Sequence, residues 1–251
     1  MHKILANTLF LGKDIIYLTE CHSTNDEAMR LFKSGRAIEG SIIVTTNQTQ
    51  GKGQRGNRWH SEPGKNLTFS LVLTPLFLDA TEQFELNMAI SVGVQEVLAA
   101  YVEGTRIKWP NDFVHLSEGK LGGMLIENSV SARGIEMSVI GLGINLNQLE
   151  FPFPAAASLA TIGGSVVYLE EFFKMLIASI EKYYLLLKKG KRKEIRETYL
   201  RHMYRWGQWA AYADQDPFVG KIIGVSPCGK LMMEKQNAET VSYSFKEVRF
   251  I

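Results

Sequence analysis

Cysteine is scarce in this chain of 251 residues: Cys21 and Cys228 are the only two, and they lie far apart without Cys-x-x-Cys spacing. The sequence therefore supports neither a disulfide framework nor a cysteine-bound zinc cluster. It also lacks an apolar run of about 18 residues, the length that a membrane-spanning helix needs, and a charged-then-apolar leader. These absences predict a cytoplasmic protein with no membrane partner.

Charge of one sign is not in excess either. The chain has 28 Lys and Arg against 26 Asp and Glu, which leaves a formal charge of +2. This balance argues against binding of nucleic acid through bulk charge. Apolar residues make up 45% and charged residues 22%, so wholesale disorder is excluded. At roughly 150 residues per domain, the length predicts one large domain, alone or with a smaller one.

Several catalytic signatures are missing as well. The five histidines form neither a His-Glu-x-x-His motif nor another metal-spaced pair. No Gly-x-Ser-x-Gly sequence is present, which argues against an α/β-hydrolase. Cys21 and His22 are adjacent, and neighbouring residues of a strand point to opposite faces, so a Cys–His dyad is disfavoured.

Strand-like and helix-like segments alternate through most of the chain. The patterns predict strands over residues 15–18, 42–44, 67–73, 106–109, 121–126 and 137–142, and helices over residues 84–101, 169–187 and 195–206. Thr24 and Glu27 have capping-box spacing, which predicts a further helix that ends near Gly35. Residues 209–251 carry only short β-type runs. We therefore expect a catalytic domain over residues 1–203 and a small β domain over residues 204–251.

The most unusual stretch is the loop over residues 48–59, where three glycines fall within six positions and three cations interleave with them. Exposed backbone N–H groups and positive charge together favour binding of phosphate or carboxylate. Trp59 adds a flat face on which a ring could stack. The loop has neither Walker A spacing nor the context of a Rossmann fingerprint. When the loop is taken alone, a mobile basic surface turn is the simpler explanation.

Three further polar clusters cover residues 108–112, 120–127 and 141–147. In the first cluster, Pro110 ends a strand, and Asn111 and Asp112 follow directly after that end. In the second, Lys120 precedes two glycines, which would let a ligand lie against bare backbone. In the third, apolar residues alternate with Gly and then Asn, as in a strand that faces a cleft. A plain turn and an exposed lysine remain alternatives for the first two clusters.

Taken together and in this order, the clusters resemble the motifs of the biotin–protein ligase family. That family has a Ser-Thr-Asn turn, a Gly-Arg-Gly-type loop ending in Trp, Lys-Trp-Pro-Asn-Asp, a Lys-Leu-Gly-Gly strand ending in Glu, and Gly-x-Gly-Ile-Asn. The corresponding residues here are 23–25, 51–59, 108–112, 120–127 and 141–145. Each motif is weak alone; the resemblance rests on five in register, and it covers essentially the whole chain.

The resemblance implies an α+β fold: a mixed central sheet flanked by helices, of the class II synthetase-like type, with a small C-terminal SH3-like β-barrel. It implies ATP and biotin as substrates, with Mg²⁺. Biotin's carboxylate would attack the α-phosphate to give biotinyl-5′-AMP and pyrophosphate. A lysine on the carrier domain of a biotin-dependent carboxylase would then attack the anhydride. Cations must offset the repulsion of two anions in the first step, and the anhydride must be shielded from water.

The resemblance also implies roles for individual residues. Lys120 and Arg55 would be catalytic, with the Lys120 ammonium between carboxylate and α-phosphate. The implied biotin-binding residues are Ser23, Thr24, Asn25, Gln48, Gly51, Lys52, Gly53, Gln54, Arg55, Lys120, Gly123 and Leu125. The implied ATP- or adenylate-binding residues are Lys52, Arg55, Arg58, Trp59, Asn111, Lys120 and Asn145. Metal ligands are left open.

Two positions depart from the family pattern. Lys52 stands where many members have Arg, which keeps the charge but loses the bidentate fork. Gln54 also stands where many have Arg, so one cation beside the intermediate is missing, unless Arg55 or Arg58 compensates. We expect Gln54→Arg to lengthen the bound lifetime of the adenylate, and an unchanged dissociation rate would contradict that expectation.

About 20 residues precede Ser23, too few for a helix-turn-helix domain of about 60 residues. We therefore expect a short form without a repressor arm or a nucleic-acid partner. We expect a monomer or a homodimer, the latter through an exposed edge strand. Two alternatives stay open: a lipoate– or octanoyl–protein ligase on the same scaffold, and a non-catalytic biotin-responsive regulatory protein.

Overall fold

A seven-stranded mixed sheet forms the centre of the molecule in the computed structural model, which describes residues 7–152 and 155–251. Its strands are β1 (Ile15–Cys21), β2 (Ile42–Gln48), β3 (Leu67–Leu73), β4 (Thr105–Lys108), β5 (Asp112–His115), β6 (Gly119–Ser131) and β7 (Gly134–Ile144). In space they follow the order β1-β2-β3-β7-β6-β5-β4. β1 and β2 run parallel, and the other neighbouring pairs are antiparallel.

Helices cover the two faces of this sheet unequally. They are α1 (Thr24–Lys33), α2 (Gln83–Tyr101), α3 (Leu159–Gly163), α4 (Leu169–Lys188) and α5 (Arg192–Arg201), with short 3₁₀ turns at Gln54–Gly56 and Ala80–Glu82. The large core lies on the face covered by α2 and α4. On the opposite face α1 packs against β2, β3 and β7, through Ala28 and Leu31. The rest of that face is left for a cavity.

A second, antiparallel sheet follows the helices. Its strands are β8 (Trp209–Ala213), β9 (Pro217–Val225), β10 (Leu231–Lys235), β11 (Thr240–Tyr243) and β12 (Arg249–Phe250), in the spatial order β11-β10-β9-β8-β12. The Trp109 Nε1–H group donates to the Gly229 carbonyl at 3.0 Å, and Arg196 donates to the Val225 carbonyl at 2.6 Å. Buried residues of both sheets form one continuous cluster. The predicted α+β class with a C-terminal β unit is confirmed.

Three local predictions were wrong, each for a physical reason. Thr24 and Glu27 form no capping box, because Ser23 is the N-cap and the Thr24 hydroxyl donates to Gln48 instead. The helix expected to reach residue 206 ends at Arg201, because the chain then hydrogen-bonds to β4. The strand β5 was missed, since only four residues separate the turn at Pro110 from the next turn. Within the described ranges no helix is both long and apolar enough to cross a bilayer.

Candidate active site

A cavity of about 370 Å³ opens on the face of the central sheet that α1 only partly covers. The predicted site residues that line it are Ser23, Thr24, Asn25, Gln48, Lys52, Gly53, Gln54, Arg58, Trp59, Asn111, Lys120, Gly123 and Leu125. Gly51 and Asn145 are not among the lining residues. The side chain of Arg55 lies outside the described part of the chain. The fold thus gathers segments from across the sequence into one place.

Two rows of residues, each running directly across neighbouring strands, form the cavity floor. The first row consists of Ser70, Gly141 and Leu125, and the second row consists of Thr68, Gly143, Gly123 and Asp112. Within a row the side chains point to the same face, because residues directly opposite in a ladder share a face. The rows are two residues apart along each strand, which corresponds to about 7 Å. The centre of the floor therefore carries glycines without side chains of their own, and Ser70, Thr68, Asp112 and Leu125 stand at its ends.

Polar side chains at the start of α1 form a connected network over the first row. The Gln48 side-chain oxygen accepts from the Thr24 N–H at 2.7 Å and from the Thr24 hydroxyl at 3.1 Å. The Ser70 hydroxyl lies 2.7 Å from Thr24 Oγ1 and 2.6 Å from Asn25 Oδ1. Asn25 Nδ2 donates to Glu127 at 2.7 Å. The network fixes these groups before a ligand arrives, which lowers the ordering cost of binding.

Two glycines in the floor are required by close approach of other side chains. A Cβ on Gly141 would stand 2.3 Å from the side-chain oxygen of Asn25, and a Cβ on Gly143 would stand 2.4 Å from the indole of Trp59. Neither position has room for a methyl group unless its neighbour moves. The Gly-x-Gly pair of β7 therefore creates the space in which Asn25 and Trp59 sit.

Lys120 lies at one end of the second row. Its ammonium is 2.7 Å from a carboxylate oxygen of Asp112, and both side chains are about one-third exposed, at 39% and 32%. The ammonium lies 3.4 Å from where a Cβ of Gly123 would stand, so it reaches over the bare floor. A cation at the rim of a partly enclosed cavity is suited to stabilise an anion placed over the glycines.

Asn145 supports this lysine from below. Its Nδ2 donates to the Lys120 carbonyl at 3.3 Å and to the Ala157 carbonyl at 3.0 Å, and the residue is buried. The contact of Asn145 with an adenylate stays a prediction; in the structure its side chain donates to the backbone of two segments, at Lys120 and at Ala157. Asn111 is closer to the cavity, where its Nδ2 donates to the carbonyl of Met124.

The glycine-rich loop folds over the mouth of the cavity. The Gly53 N–H donates to the Asn57 carbonyl at 2.7 Å, and the Trp59 N–H donates to the Gly51 carbonyl at 2.9 Å. Lys52 is tied to α1, since its ammonium lies 2.5 Å from Asp26 Oδ1. Gly51 thus shapes the loop through its backbone, and Lys52 and Arg58 bring positive charge to the rim.

Lys108 belongs to the neighbourhood of the site but not to its wall. Its ammonium lies 5.0 Å from the centroid of the Phe250 ring, on the side of the second sheet. Burial lowers the pKa of Lys108, and the carboxylate of Asp112 opposes this shift. Among the side chains that the structure describes, the lysines and arginines that line the cavity are Lys52, Arg58 and Lys120.

Metal-binding side chains do not cluster in the described ranges: no three His, Cys, Asp or Glu residues come together there. Asp112 is the carboxylate among the lining residues. One carboxylate fits Mg²⁺, which keeps several waters and binds through one or two carboxylates together with substrate phosphates.

Sequence reasoning missed several lining residues, notably Thr68 and Phe245, and the Ser70 hydroxyl beneath the polar network. A signal for Thr68 and Ser70 was present. In β3 every second residue is apolar, and the residues between are Thr68, Ser70 and Val72. Phe245 comes from the second sheet, and its position depends on packing between distant segments.

The chain is similar in sequence to several known proteins. Residues 18–145 match the model of the biotin/lipoate A/B protein ligase family. The chain is 30% identical to the bifunctional ligase/repressor BirA of Bacillus spizizenii, covering 94% of this chain and 74% of that protein. It is also 30% identical to the biotin–[acetyl-CoA-carboxylase] ligase of Paracoccus denitrificans, covering 76% of this chain and 81% of that one.

A solved structure shows the same fold. It is the biotin protein ligase from Aquifex aeolicus in complex with biotin and ATP, with a TM-score of 0.77 and 27% identity over 95% of this chain and all of that chain. The family match spans about half of the chain, and the Bacillus relative aligns over nearly all of it. The chain belongs to the biotin/lipoate A/B protein ligase family.

Proposed function

We propose that the protein is a biotin–protein ligase, which activates biotin with ATP and transfers it to a lysine of a biotin carrier domain. The observation that carries this proposal is the arrangement of one cavity. A prebuilt polar network stands over its first row, bare glycines form its centre, and the Lys120–Asp112 pair stands at the end of its second row.

The polar network suits the ring system of biotin. A urea is neutral and presents one carbonyl oxygen and two N–H groups, so it needs both donors and acceptors at short range. Ser23 and Gln48 line the cavity on this side, and the Ser23 hydroxyl makes no capping hydrogen bond with α1. Gln48 receives two bonds on its oxygen, which leaves its amide N–H₂ group for the ligand.

The first reaction step would occur over the second row. A carboxylate oxygen of biotin forms a bond to the α-phosphorus of ATP, and the bond from that phosphorus to the pyrophosphate oxygen breaks. Two anions must approach each other, so the Lys120 ammonium next to Gly123 stabilises the negative charge that gathers there. Lys52 and Arg58 add positive charge at the rim.

Mg²⁺ would enter with the phosphates of ATP and would neutralise part of their charge. Asp112 is placed to hold it together with water and phosphate oxygens. The residues of this chain then position the two substrates and keep bulk water from the anhydride.

The second step needs an uncharged amine and a leaving AMP. The amine nitrogen bonds to the acyl carbon, the bond from that carbon to the phosphate oxygen breaks, and one proton leaves the amine. Asp112 is the carboxylate at this end of the cavity, and we propose that it accepts the proton. Replacing Asp112 by Asn should therefore slow acyl transfer, and it should also slow pyrophosphate release because the same carboxylate is placed to hold Mg²⁺ with ATP.

A groove beside the cavity offers a place for the carrier domain. The groove has a volume of about 660 Å³ and shares Gln54, Leu125 and Phe245 with the cavity. The strand β5 pairs with residues 119–123 of β6. Beyond residue 123, no described strand pairs with the edge of β6 that faces away from β7. The backbone alternation of an antiparallel ladder turns the N–H and C=O of Ile126 and Asn128 toward this side.

A strand added at this edge would bring its side chains to the cavity mouth. We propose that the carrier domain docks here by β-strand addition. A second copy of the chain would compete for the same backbone groups. If a dimer forms through this edge, excess carrier domain should dissociate it.

The proposal is tested by measuring which carboxylic acid substrate makes the protein release pyrophosphate from ATP. Purified protein with ATP and Mg²⁺ should release pyrophosphate when biotin is added and should release little with lipoate or octanoate. Lys120→Ala should slow the release about 10²- to 10³-fold, while Lys65→Ala, which removes an exposed lysine outside the cavity lining, should leave it intact. A preference for lipoate or octanoate would assign the chain to the other branch of the family. Biotin binding without pyrophosphate release would indicate a regulatory protein.

A further inference from the structure

Glu127 is a carboxylate behind the polar network, and the proposed reaction leaves it without a role. It is half-buried and lies outside the lining of the cavity. The Asn25 Nδ2 group donates to Glu127 Oε2 at 2.7 Å and to the Leu125 carbonyl at 3.4 Å. Asn25 is buried, so its amide has no bulk water with which to exchange these partners. The two acceptors of β6 therefore decide which way this amide points.

The direction of the Asn25 amide fixes the proton of Ser70. A carboxylate and a backbone carbonyl accept hydrogen bonds and never donate them, so the NH₂ end of Asn25 must face Glu127 and Leu125. The oxygen end then faces Ser70, whose hydroxyl lies 2.6 Å from Asn25 Oδ1. An amide oxygen has no proton to give, so the Ser70 hydroxyl donates in this contact. The single proton of Ser70 is thereby used.

The same count of protons continues to Thr24 and Gln48. Ser70 has no second proton for Thr24 Oγ1, 2.7 Å away, and the Gln48 oxygen, 3.1 Å from Thr24 Oγ1, only accepts. The Thr24 hydroxyl proton is therefore directed at these two oxygens, and only lone pairs of that hydroxyl are left for a ligand. The Gln48 oxygen also accepts from the Thr24 N–H at 2.7 Å, which leaves the Gln48 NH₂ group. Both residues line the cavity, where they present one acceptor and one donor group.

We propose that Glu127 is a positioning residue: it sets the direction of the hydrogen bonds in the polar network, and so selects an acid whose ring carries an N–H group next to a carbonyl. This inference rests on the proposed function, since the urea of biotin is such a group. Its N–H would donate to Thr24 and its carbonyl would accept from Gln48. If the Asn25 amide were turned round, it would donate to Ser70, the Ser70 proton would go to Thr24, and the acceptor for the N–H would be weakened. An alkyl chain, as in octanoate, uses neither group.

A second pair of the same kind supplies a matched control. Asn47 Nδ2 donates to Glu20 Oε2, also at 2.7 Å, and the two residues lie directly opposite each other in β1 and β2. Neither residue lines the cavity. Glu20 and Glu127 thus share a residue type, a type of partner and a bond length, and they differ in whether the asparagine side chain continues into the polar network.

The test compares Glu127→Lys, the double variant Asn25→Asp/Glu127→Lys and Glu20→Lys. A lysine ammonium only donates, so Glu127→Lys turns the Asn25 amide round and should raise the KM for biotin about three- to tenfold, the loss expected for one hydrogen bond. The kcat and the KM for ATP should stay within about twofold. In the double variant the new carboxylate at position 25 accepts from the ammonium and from Ser70, so the KM for biotin should return to within about twofold of wild type. Glu20→Lys makes the same change of charge and should leave all three constants unchanged.

An unchanged KM for biotin in Glu127→Lys would overturn the inference. So would a KM for ATP that rises as much as the KM for biotin, or a double variant that binds biotin as weakly as the single one. If lysine prevents folding, Glu127→Gln and Asn25→Asp/Glu127→Gln decide by the same criteria. Glutamine leaves the direction of the Asn25 amide open, so Glu127→Gln should raise the KM for biotin by a smaller factor, and the added carboxylate should restore it.

The increase of Tm caused by biotin alone gives a readout that needs no turnover. It should be smaller in Glu127→Lys and should recover in the double variant. Wild-type protein that biotin stabilises without release of pyrophosphate would contradict the proposed function, and this Tm measurement would still decide the role of Glu127. Wild-type protein that biotin does not stabilise would contradict both.

Discussion

The two faces of the central sheet differ, although the same strands build both. On one face Phe69 of β3 packs edge-on against Phe173 of α4, with ring centroids 5.0 Å apart, inside a large apolar cluster. On the other face the neighbouring Ser70 contacts Thr24 and Asn25, and Thr68 lines the cavity. Successive residues of one strand therefore serve packing and ligand binding in turn.

The difference shows where stability and function reside in this fold. The packed face buries whole side chains, and burial of apolar area is the main favourable contribution to folding. The cavity face keeps buried polar atoms, bare backbone and a network that encloses space. Substitutions on the packed face should consequently lower stability, and substitutions on the cavity face should weaken substrate binding, even at adjacent positions.

The largest expected effect is on the packed face. Phe69→Ala removes a fully buried ring and should lower the free energy of unfolding by about 3–5 kcal/mol. Ser70→Ala, one position away, should cost about 1 kcal/mol but raise the KM for biotin, because Thr24 and Asn25 lose a common partner. Chemical denaturation and steady-state kinetics measure the two quantities. Equal losses of stability in both variants would contradict the distinction between the faces.

The next effect in size concerns Lys120. Its replacement by Ala should slow biotin-dependent pyrophosphate release about 10²- to 10³-fold, the range observed when one group that stabilises developing charge is removed. Tm should change little, because the side chain is partly exposed and its ion pair with Asp112 contributes little to stability. Near-normal pyrophosphate release would refute the assignment of Lys120.

Gly143 comes third. A methyl group there would collide with the Trp59 indole, so Gly143→Ala should displace the ring and raise the KM for ATP roughly tenfold, the cost of misplacing one binding group. Gly224→Ala is the matched control, since nothing lies within 4 Å of its added Cβ and its φ is not positive. A loss of nucleotide affinity that is equal in both variants would indicate a general effect of replacing glycine in a strand.

The smallest expected effect is on the pH dependence of Tm, and it comes from His202, which follows α5. Burial lowers the pKa of His202, and Arg106 and Arg201 lower it further. His202 therefore binds a proton less readily in the folded protein than in the unfolded chain, where a histidine has a pKa of about 6.5. His202 destabilises the fold as pH falls through that value. His202→Gln should lose less Tm than wild type between pH 7.5 and about pH 5.5, and an identical loss would contradict this.

The sequence predicted one side of this comparison better than the other. Apolar alternation placed β3 at residues 67–73, and helical spacing placed α2 and α4 almost to their ends. Those elements depend on local periodicity. The match of five motifs to one family predicted the cavity's main residues, and the structure brings most of them together.

What the sequence did not predict depends on contacts between distant segments. The partnership of Ser70 with Asn25 joins residues 45 positions apart, and the placement of Phe245 requires the second sheet to dock. The Thr24–Glu27 capping box failed because Gln48, which is remote in sequence, competes for the Thr24 hydroxyl. Local spacing carries no information on such competition.

The central claim is that this cavity activates biotin and passes it to a protein lysine. The most direct measurement incubates the protein with ATP, Mg²⁺, biotin and a purified biotin carrier domain, and then detects biotin bound covalently to the carrier by mass spectrometry. A carrier whose acceptor lysine is replaced by arginine is the control. We predict one biotin on the acceptor lysine of the unmodified carrier and none on the control. No transfer of biotin, or transfer of lipoate in its place, would contradict the account.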